Sequence, residues 1–388
     1  NLSFLGGGCY QHQVPAVCDE INRRSEFLTA YAGEPYDDHG RFQALFETAS
    51  LMGELLEMEM VNVPTYDGFQ AAATAIRMAA RMTGRPKALV ARTVNPDKLS
   101  KIRDYALGAV EIMTIGFEGR TGELDLAELK KGLDQDTAAV YLDNPSFLGT
   151  IEGRGREIAE AAHRAGAEMV VGVDPTSLGV LTPPVRYGAD IVCGDLQPLG
   201  MHLNFGGGQA GFIATRDEER YVMEYPSRLF GLAPTRVEGE YGFGDVAWER
   251  TSFALREKGR EWVGTASALW GITAGVYLAL MGPKGMAELG EGILQRSRYL
   301  ALKLNQLAGV RAPALKGASF KEFVVDFRET GRRVAEINAE LLERGIFGGL
   351  SLSPLFPELE NCALYCVTEV HTQADLDGLA EALKEILG

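Results

Sequence analysis

Between residues 87 and 193 short apolar runs alternate with amphipathic stretches, at 88–91, 110–115, 138–142, 169–173 and 191–193. Runs that are apolar throughout, rather than at every second position, belong to strands covered on both faces. The pattern therefore predicts a mainly parallel sheet between helices. Two intervening helices are predicted over 124–133 and 155–166, and a further strand at 210–215 follows Gly206-Gly-Gly208. The longest apolar stretch, 268–281, contains Gly271 and Gly275 and falls short of the ~20 residues a membrane span needs, so it is expected to be a buried core helix. Past Pro283 the rhythm changes to helix 286–308, strand 320–327, helix 333–344, strand 363–368 and helix 374–387. These elements divide the chain into an N-terminal arm (1–45), a large α/β domain (46–284) and a small C-terminal α+β domain (285–388). The arm carries Tyr10, His12, Tyr31, Tyr36 and His39, and is expected to lie on another surface, as arms of oligomers do.

Charge narrows the function. The 388 residues include 38 basic and 53 acidic groups, a formal charge of −15, so neither nucleic acid nor an anionic membrane is expected as a partner. The five cysteines are scattered and lack zinc-site spacing, which together with the lack of a basic-then-apolar leader points to a reducing cytoplasm. Cys362 and Cys366 are expected to be small core residues on one face of a strand. No His-Glu-x-x-His or Gly-x-Ser-x-Gly string occurs, and no metal site is expected. Gly6-Gly-Gly8 lacks the strand-to-helix context of a dinucleotide fingerprint, and Gly206-Gly-Gly208 is expected to be a turn before a strand.

Particular strings go further. In order along the chain stand Gly8-Cys-Tyr10-Gln-His12-Gln-Val-Pro15, Arg24-Ser-Glu-Phe27-Leu-Thr-Ala-Tyr31, Gln43-Ala-Leu-Phe-Glu47, Tyr66-Asp67-Gly68, Asp174-Pro175-Thr-Ser177, Gly188-Ala-Asp190-Ile-Val192-Cys-Gly194 and Tyr277-Leu-Ala-Leu-Met-Gly282-Pro283. Together they resemble the alpha subunit of the two-subunit glycine dehydrogenase (decarboxylating), the P-protein of the glycine cleavage system. The resemblance implies the aminotransferase-like fold of fold-type I pyridoxal phosphate enzymes. It also implies an α2β2 assembly in which a homologous beta subunit holds the pyridoxal phosphate, glycine is decarboxylated and the aminomethyl group passes to the lipoyl H-protein. Departures from the family strings occur at Tyr36-Asp37-Asp38-His39-Gly40, at Asn62-Val63-Pro64-Thr65, at Pro145-Ser146-Phe147-Leu148-Gly149 and at 255–262. They leave open a paralogue acting on another amino acid or acceptor, and a non-catalytic scaffold.

A pyridoxal phosphate enzyme needs a lysine amine to bond the cofactor's aldehyde. The resemblance puts that lysine near 195–208, yet no lysine occurs between Lys131 and Lys258, and Lys258 itself falls in a charged, solvated stretch. No catalytic or cofactor-binding residue is therefore assigned to this chain. The candidates for a substrate pocket or an interface are Tyr66, Asp67, Asn144, Tyr10, His12, Tyr31 and Asp174. Asn144 and Asp174 follow strands, where ligands of open α/β sheets collect. Tyr66-Asp67-Gly68 opens a helix, where Asp67 serves either as a cap or as part of a pocket. Asp174 is the residue that would face a pyridine nitrogen in a cofactor-bearing relative, and here either keeps a role in a pocket or only holds its loop.

Overall fold

A computed structural model describes residues 1–27, 39–206, 208–260 and 267–388. Tyr31 and Tyr36 lie outside the described residues. The elements begin with β1 (Leu2–Ser3), α1 (Ala16–Asn22) and α2 (His39–Leu56). A seven-stranded sheet then forms among the described residues from β2 (Met60–Val61), β3 (Lys87–Ala91), β4 (Glu111–Ile115), β5 (Thr137–Asp143), β6 (Glu168–Val173), β7 (Ile191–Asp195) and β8 (Gly211–Thr215). Its order is β2-β8-β7-β6-β5-β3-β4, and β8 alone runs against its neighbours. All residues of β3 and β6 are buried, which is why the sequence there shows apolar runs without alternation.

The helices α3 (Gly68–Thr83), α4 (Pro96–Ala106), α5 (Leu126–Gly132) and α6 (Gly155–Arg164) accompany the sheet. Helix α3 starts where Asp67 accepts a hydrogen bond from the Gln70 amide at 2.6 Å, a cap worth about 1 kcal/mol. It ends at Gly84, whose φ of +66° suits a residue without Cβ. Between these signals Ala71, Ala72, Ala73 and Ala75 are fully covered, so the helix axis comes close to β7 and β8. Helix α5 is shorter than the expected 124–133, because Asp125 caps it and Leu124 instead donates its amide to Glu152.

A short helix α7 (Glu219–Val222) and a hairpin of β9 (Phe230–Pro234) and β10 (Tyr241–Asp245) follow the sheet. The expected helices at 268–281 and 286–308 are one element, α8 (Ala268–Leu304), kinked at Gly282. Pro283 has no amide to give the preceding turn, and Gly282 absorbs the bend with φ +60°. The division expected at 284/285 falls inside this helix, just beyond the kink.

The C-terminal elements are β11 (Glu322–Asp326), α9 (Val334–Glu343), β12 (Ile346–Phe347), β13 (Leu350–Ser351), β14 (Cys362–Cys366) and α10 (Gln373–Leu387). Strands β11, β14 and β13 make an antiparallel sheet in which Cys362 and Cys366 are buried. Among the described residues, the start of the chain packs on the small sheet. β1 pairs in parallel with β12, the Phe4 carbonyl accepts from the Cys366 amide at 2.9 Å, and Phe4 is fully buried against the small sheet. The reason is local chemistry: Leu2 and Phe4 complete a core the small sheet would otherwise leave open. No helix among the described residues is long and apolar enough to cross a membrane.

Candidate active-site cavity

The carboxyl ends of the parallel strands open into a cavity. Its walls come from Asn95 and Lys98 beyond β3, Asp143, Pro145, Ser146 and Phe147 at the end of β5, Asp174 beyond β6 and Asp195 at the end of β7, and its cover includes Gly8 and Tyr10 of the first segment. Gly68 and Phe69 bring the start of α3 to the same place.

Two buried carboxylates there, Asp143 and Asp174, are neutralised in pairs. Lys98 sends its ammonium to both oxygens of Asp143 at 2.9 Å, and the Tyr141 hydroxyl donates to the same carboxylate at 2.7 Å. Asp174 pairs with Lys321, which stands immediately before β11 and whose side chain is only 3% exposed. Burial by itself would raise the Asp174 carboxyl, but the Lys321 ammonium and the His12 ring hold it below the ordinary aspartate range. Asp174 also caps the turn after it, accepting from the Thr176 amide at 3.0 Å and hydroxyl at 2.8 Å, so it holds its loop as well.

The first segment is fastened across this network. Lys321 lies 3.4 Å from the centroid of the Tyr10 ring and its Nζ is 3.2 Å from Nε2 of His12, whose Nδ1 is 2.8 Å from Glu369. The Tyr10 hydroxyl donates to Glu322 at 2.9 Å, and the Gly7 amide donates to the other oxygen at 2.7 Å. Burial pushes the Glu322 carboxyl up to about 7 in spite of these donors. A Cβ on Gly6 would stand 2.2 Å from Glu322, so glycine is what lets the chain pass over that carboxyl. From the other side Gln197 takes the Tyr10 amide at 3.2 Å and gives its own NH2 to the Tyr10 carbonyl at 2.9 Å.

Helix α3 points its first turn at the cavity, a natural seat for an anion. That seat is taken. The Gly68 amide donates to Asp195 at 2.7 Å and the Gln70 amide to Asp67. Burial pushes the Asp195 carboxyl up to about 6, while the amides of Gly68, Gln197 and Ala210 pull the other way.

Tyr10 and Asp174 of the sequence candidates line the cavity, and His12 is buried beside it. Asp67 is the cap of α3. Asn144 does not line the cavity. It turns back to brace the loop after β5, accepting from the Glu152 amide at 3.0 Å and donating to Tyr187. Tyr66 does not line it either, and is 53% exposed on the outer surface. Sequence reasoning missed Lys98, Asp143, Asp195, Gln197, Lys321 and Glu322. Lys321-Glu322 carried a usable signal, a pair of charges opening the apolar run 323–325, because buried charge in such a run needs partners. Gly206 and Gly208 belong to the turn before β8, as expected, and a Cβ on Gly208 would stand 2.1 Å from the His202 carbonyl. Lys258 is exposed.

Pyridoxal phosphate does not fit these residues. It needs a free amine for its aldehyde, a free carboxylate for its ring nitrogen and free donors for its phosphate. Lys98 and Lys321 are both held by carboxylates, Asp174 is held by Lys321, and the amides of Gly68 and Gln70 at the start of α3 are held by Asp195 and Asp67.

Comparison with known proteins gives the same frame. Proteins named "Probable glycine dehydrogenase (decarboxylating) subunit 1" from Staphylothermus marinus and Aeropyrum pernix are each 40% identical, over 100% and 99% of this chain and 82% and 83% of their own length. A crystal structure of the glycine decarboxylase (P-protein) of the glycine cleavage system, in inhibitor-bound form, superposes with a TM-score of 0.89 at 37% identity, covering 99% of this chain and 85% of that one. A sphingosine-1-phosphate lyase from Burkholderia pseudomallei has the same fold at 15% identity, with a TM-score of 0.72 over 99% of this chain and 85% of that one. The fold is thus the fold-type I, aminotransferase-like one. The family model described as glycine cleavage system P-protein matches residues 1–383, and the chain belongs to that family.

Proposed function

We propose that this chain is the subunit without its own cofactor in a two-subunit glycine decarboxylase, and that it completes the active site of a homologous, lysine-bearing partner. One observation carries the reading: a match to the P-protein family over nearly the whole chain coexists with a lysine-free stretch from 132 to 257. The pairing of Lys98, Asp174 and Asp195 with groups of the same chain supports it. In this assembly the partner would hold pyridoxal phosphate, which would supply an electron sink for the decarboxylation of glycine. The aminomethyl group then passes to the lipoyl H-protein. This chain contributes shape, hydrogen bonds and a docking surface. Tyr66, exposed at the start of α3, is the side chain we assign to the joint pocket or its rim. The same reading makes the complex an α2β2 tetramer of the cytoplasm.

The test is co-expression with a lysine-bearing homologue of the same family, followed by exchange of labelled carbon dioxide into glycine with lipoyl H-protein present. Exchange is expected from the pair and not from either chain alone. Visible cofactor absorbance or exchange from this chain alone would overturn the reading. Turnover of another amino acid but not of glycine would favour the paralogue, to which the departure at Ser146 points.

A further inference from the structure

Asp174 sits where a fold of this type directs a carboxylate at a protonated ring nitrogen. In this chain a cation already meets it, from a residue 147 positions away on the small sheet's edge. We propose that Lys321 is an internal replacement for the cofactor's cationic ring: it neutralises Asp174, carries the Tyr10 ring over its ammonium and so closes this chain's cavity to pyridoxal phosphate. The inference rests on the reading above, that the partner holds the cofactor, and names the residue that keeps it out here.

Three features support it. The ammonium is almost wholly out of solvent, and such a charge persists only with close compensation. Its surroundings are those a flat cation would have, with a carboxylate at one side and an aromatic face at 3.4 Å. The same lysine also joins three parts of the chain. Asp174 belongs to the large sheet, Tyr10 and His12 to the first segment, and Lys321 to the small sheet. Removing the charge therefore uncovers Asp174 and loosens the cover over the cavity together.

The consequence is a cation demand that can be met from outside. In the full chain, Lys321→Ala deletes the side chain beyond Cβ, three methylenes and the ammonium, and leaves Asp174 facing a hole. Its melting temperature is expected to fall by roughly 5 °C or more. Ethylammonium chloride should restore most of that loss with a saturable dose response, while ethanol and an equal ionic strength of sodium chloride should not, and the unaltered protein should not respond. Pyridoxine, which carries the ring nitrogen but no phosphate or aldehyde, should bind the variant at least tenfold more tightly than the unaltered chain, read by its fluorescence. Equal responses to ethylammonium and sodium chloride, or no gain for pyridoxine, would overturn the proposal while leaving the partner-held cofactor untouched. Binding of pyridoxal phosphate by the unaltered chain would instead remove that earlier reading. If Lys321→Ala yields no soluble protein, the pair Asp174→Asn with Lys321→Met decides. A folded pair without an ethylammonium response supports the counter-ion role, and a pair that also fails to fold shows that Lys321 serves packing and overturns it.

Discussion

The cavity at the strand ends and the β9–β10 hairpin treat polarity in opposite ways. Inside, Lys98, Asp143, Asp174 and Lys321 are buried or nearly so, and each is matched by a counter-charge of the same chain. Outside, Leu232, Val237 and Tyr241 of the hairpin and its turn, with Trp248 just beyond, stand exposed. Paired charges leave little for a ligand of high charge, whereas apolar side chains exposed along a hairpin offer area to a partner. The difference supports an outward-facing role for this chain in chemistry shared with a partner.

The contrast can be broken most forcefully from inside. Lys98→Met leaves the Asp143 carboxylate buried with only the Tyr141 hydroxyl for company, and is expected to cost about 3–5 kcal/mol in urea unfolding. A loss below about 1 kcal/mol would mean that water reaches Asp143 and that the pair is not structural.

Next in size is a pH effect at Glu322. An unfolded glutamate releases its proton near 4.5, and the buried one near 7, so between these values the native state binds more protons than the unfolded state. Stability is then full below the lower value and falls as pH rises toward the upper one, by on the order of 3 kcal/mol at most. Asp195, raised to about 6, acts in the same direction. Melting curves from about pH 5 to about pH 8 should therefore slope downward more steeply for the unaltered protein than for Glu322→Gln. Parallel curves would show that the carboxyl is ionised throughout.

A smaller effect is expected from Gly172→Ala. The new Cβ would stand 2.1 Å from an Asp143 oxygen and 2.5 Å from the Tyr141 hydroxyl, both of which can rotate away at a cost of about 1–3 kcal/mol in unfolding free energy. In a double-mutant cycle, a smaller cost of Gly172→Ala in the Asp143→Ala background than in the unaltered protein would assign that cost to the carboxylate. Least of all, Tyr241→Ser on the hairpin should change the stability of the chain itself by under about 0.5 kcal/mol. Its effect should appear only as weaker co-purification with the partner, and a large loss in the isolated chain would show that the hairpin serves the chain's own fold.

How far the sequence could be read follows from the range of each interaction. Strands β3 to β7 were legible because complete burial leaves a local trace, and helix ends were legible where a cap and a glycine bracket an apolar stripe, as in α3. The lack of a lysine after β7 was legible because it is a statement about sequence. Pairings across the chain were not: nothing near Asp174 announces Lys321, and the two meet only because the small sheet lies against the large one. Asn144 was chosen where its neighbour Asp143 does the lining. A strand sends successive side chains to opposite sides, and the loop after β5 turns Asn144 inward to Glu152. Tyr66 was legible as a family residue but not as an exposed one, because its half-exposed position depends on how α3 is seated.

The reciprocal bonds between Gln197 and the main chain of Tyr10 give this protein a built-in reporter. Gln197 belongs to the loop after β7, and its two bonds tie that loop to the first segment. Deuterium should enter the Tyr10 amide when the first segment lifts from that loop, so its exchange rate measures the free energy of that opening and can be followed with or without any assay of turnover.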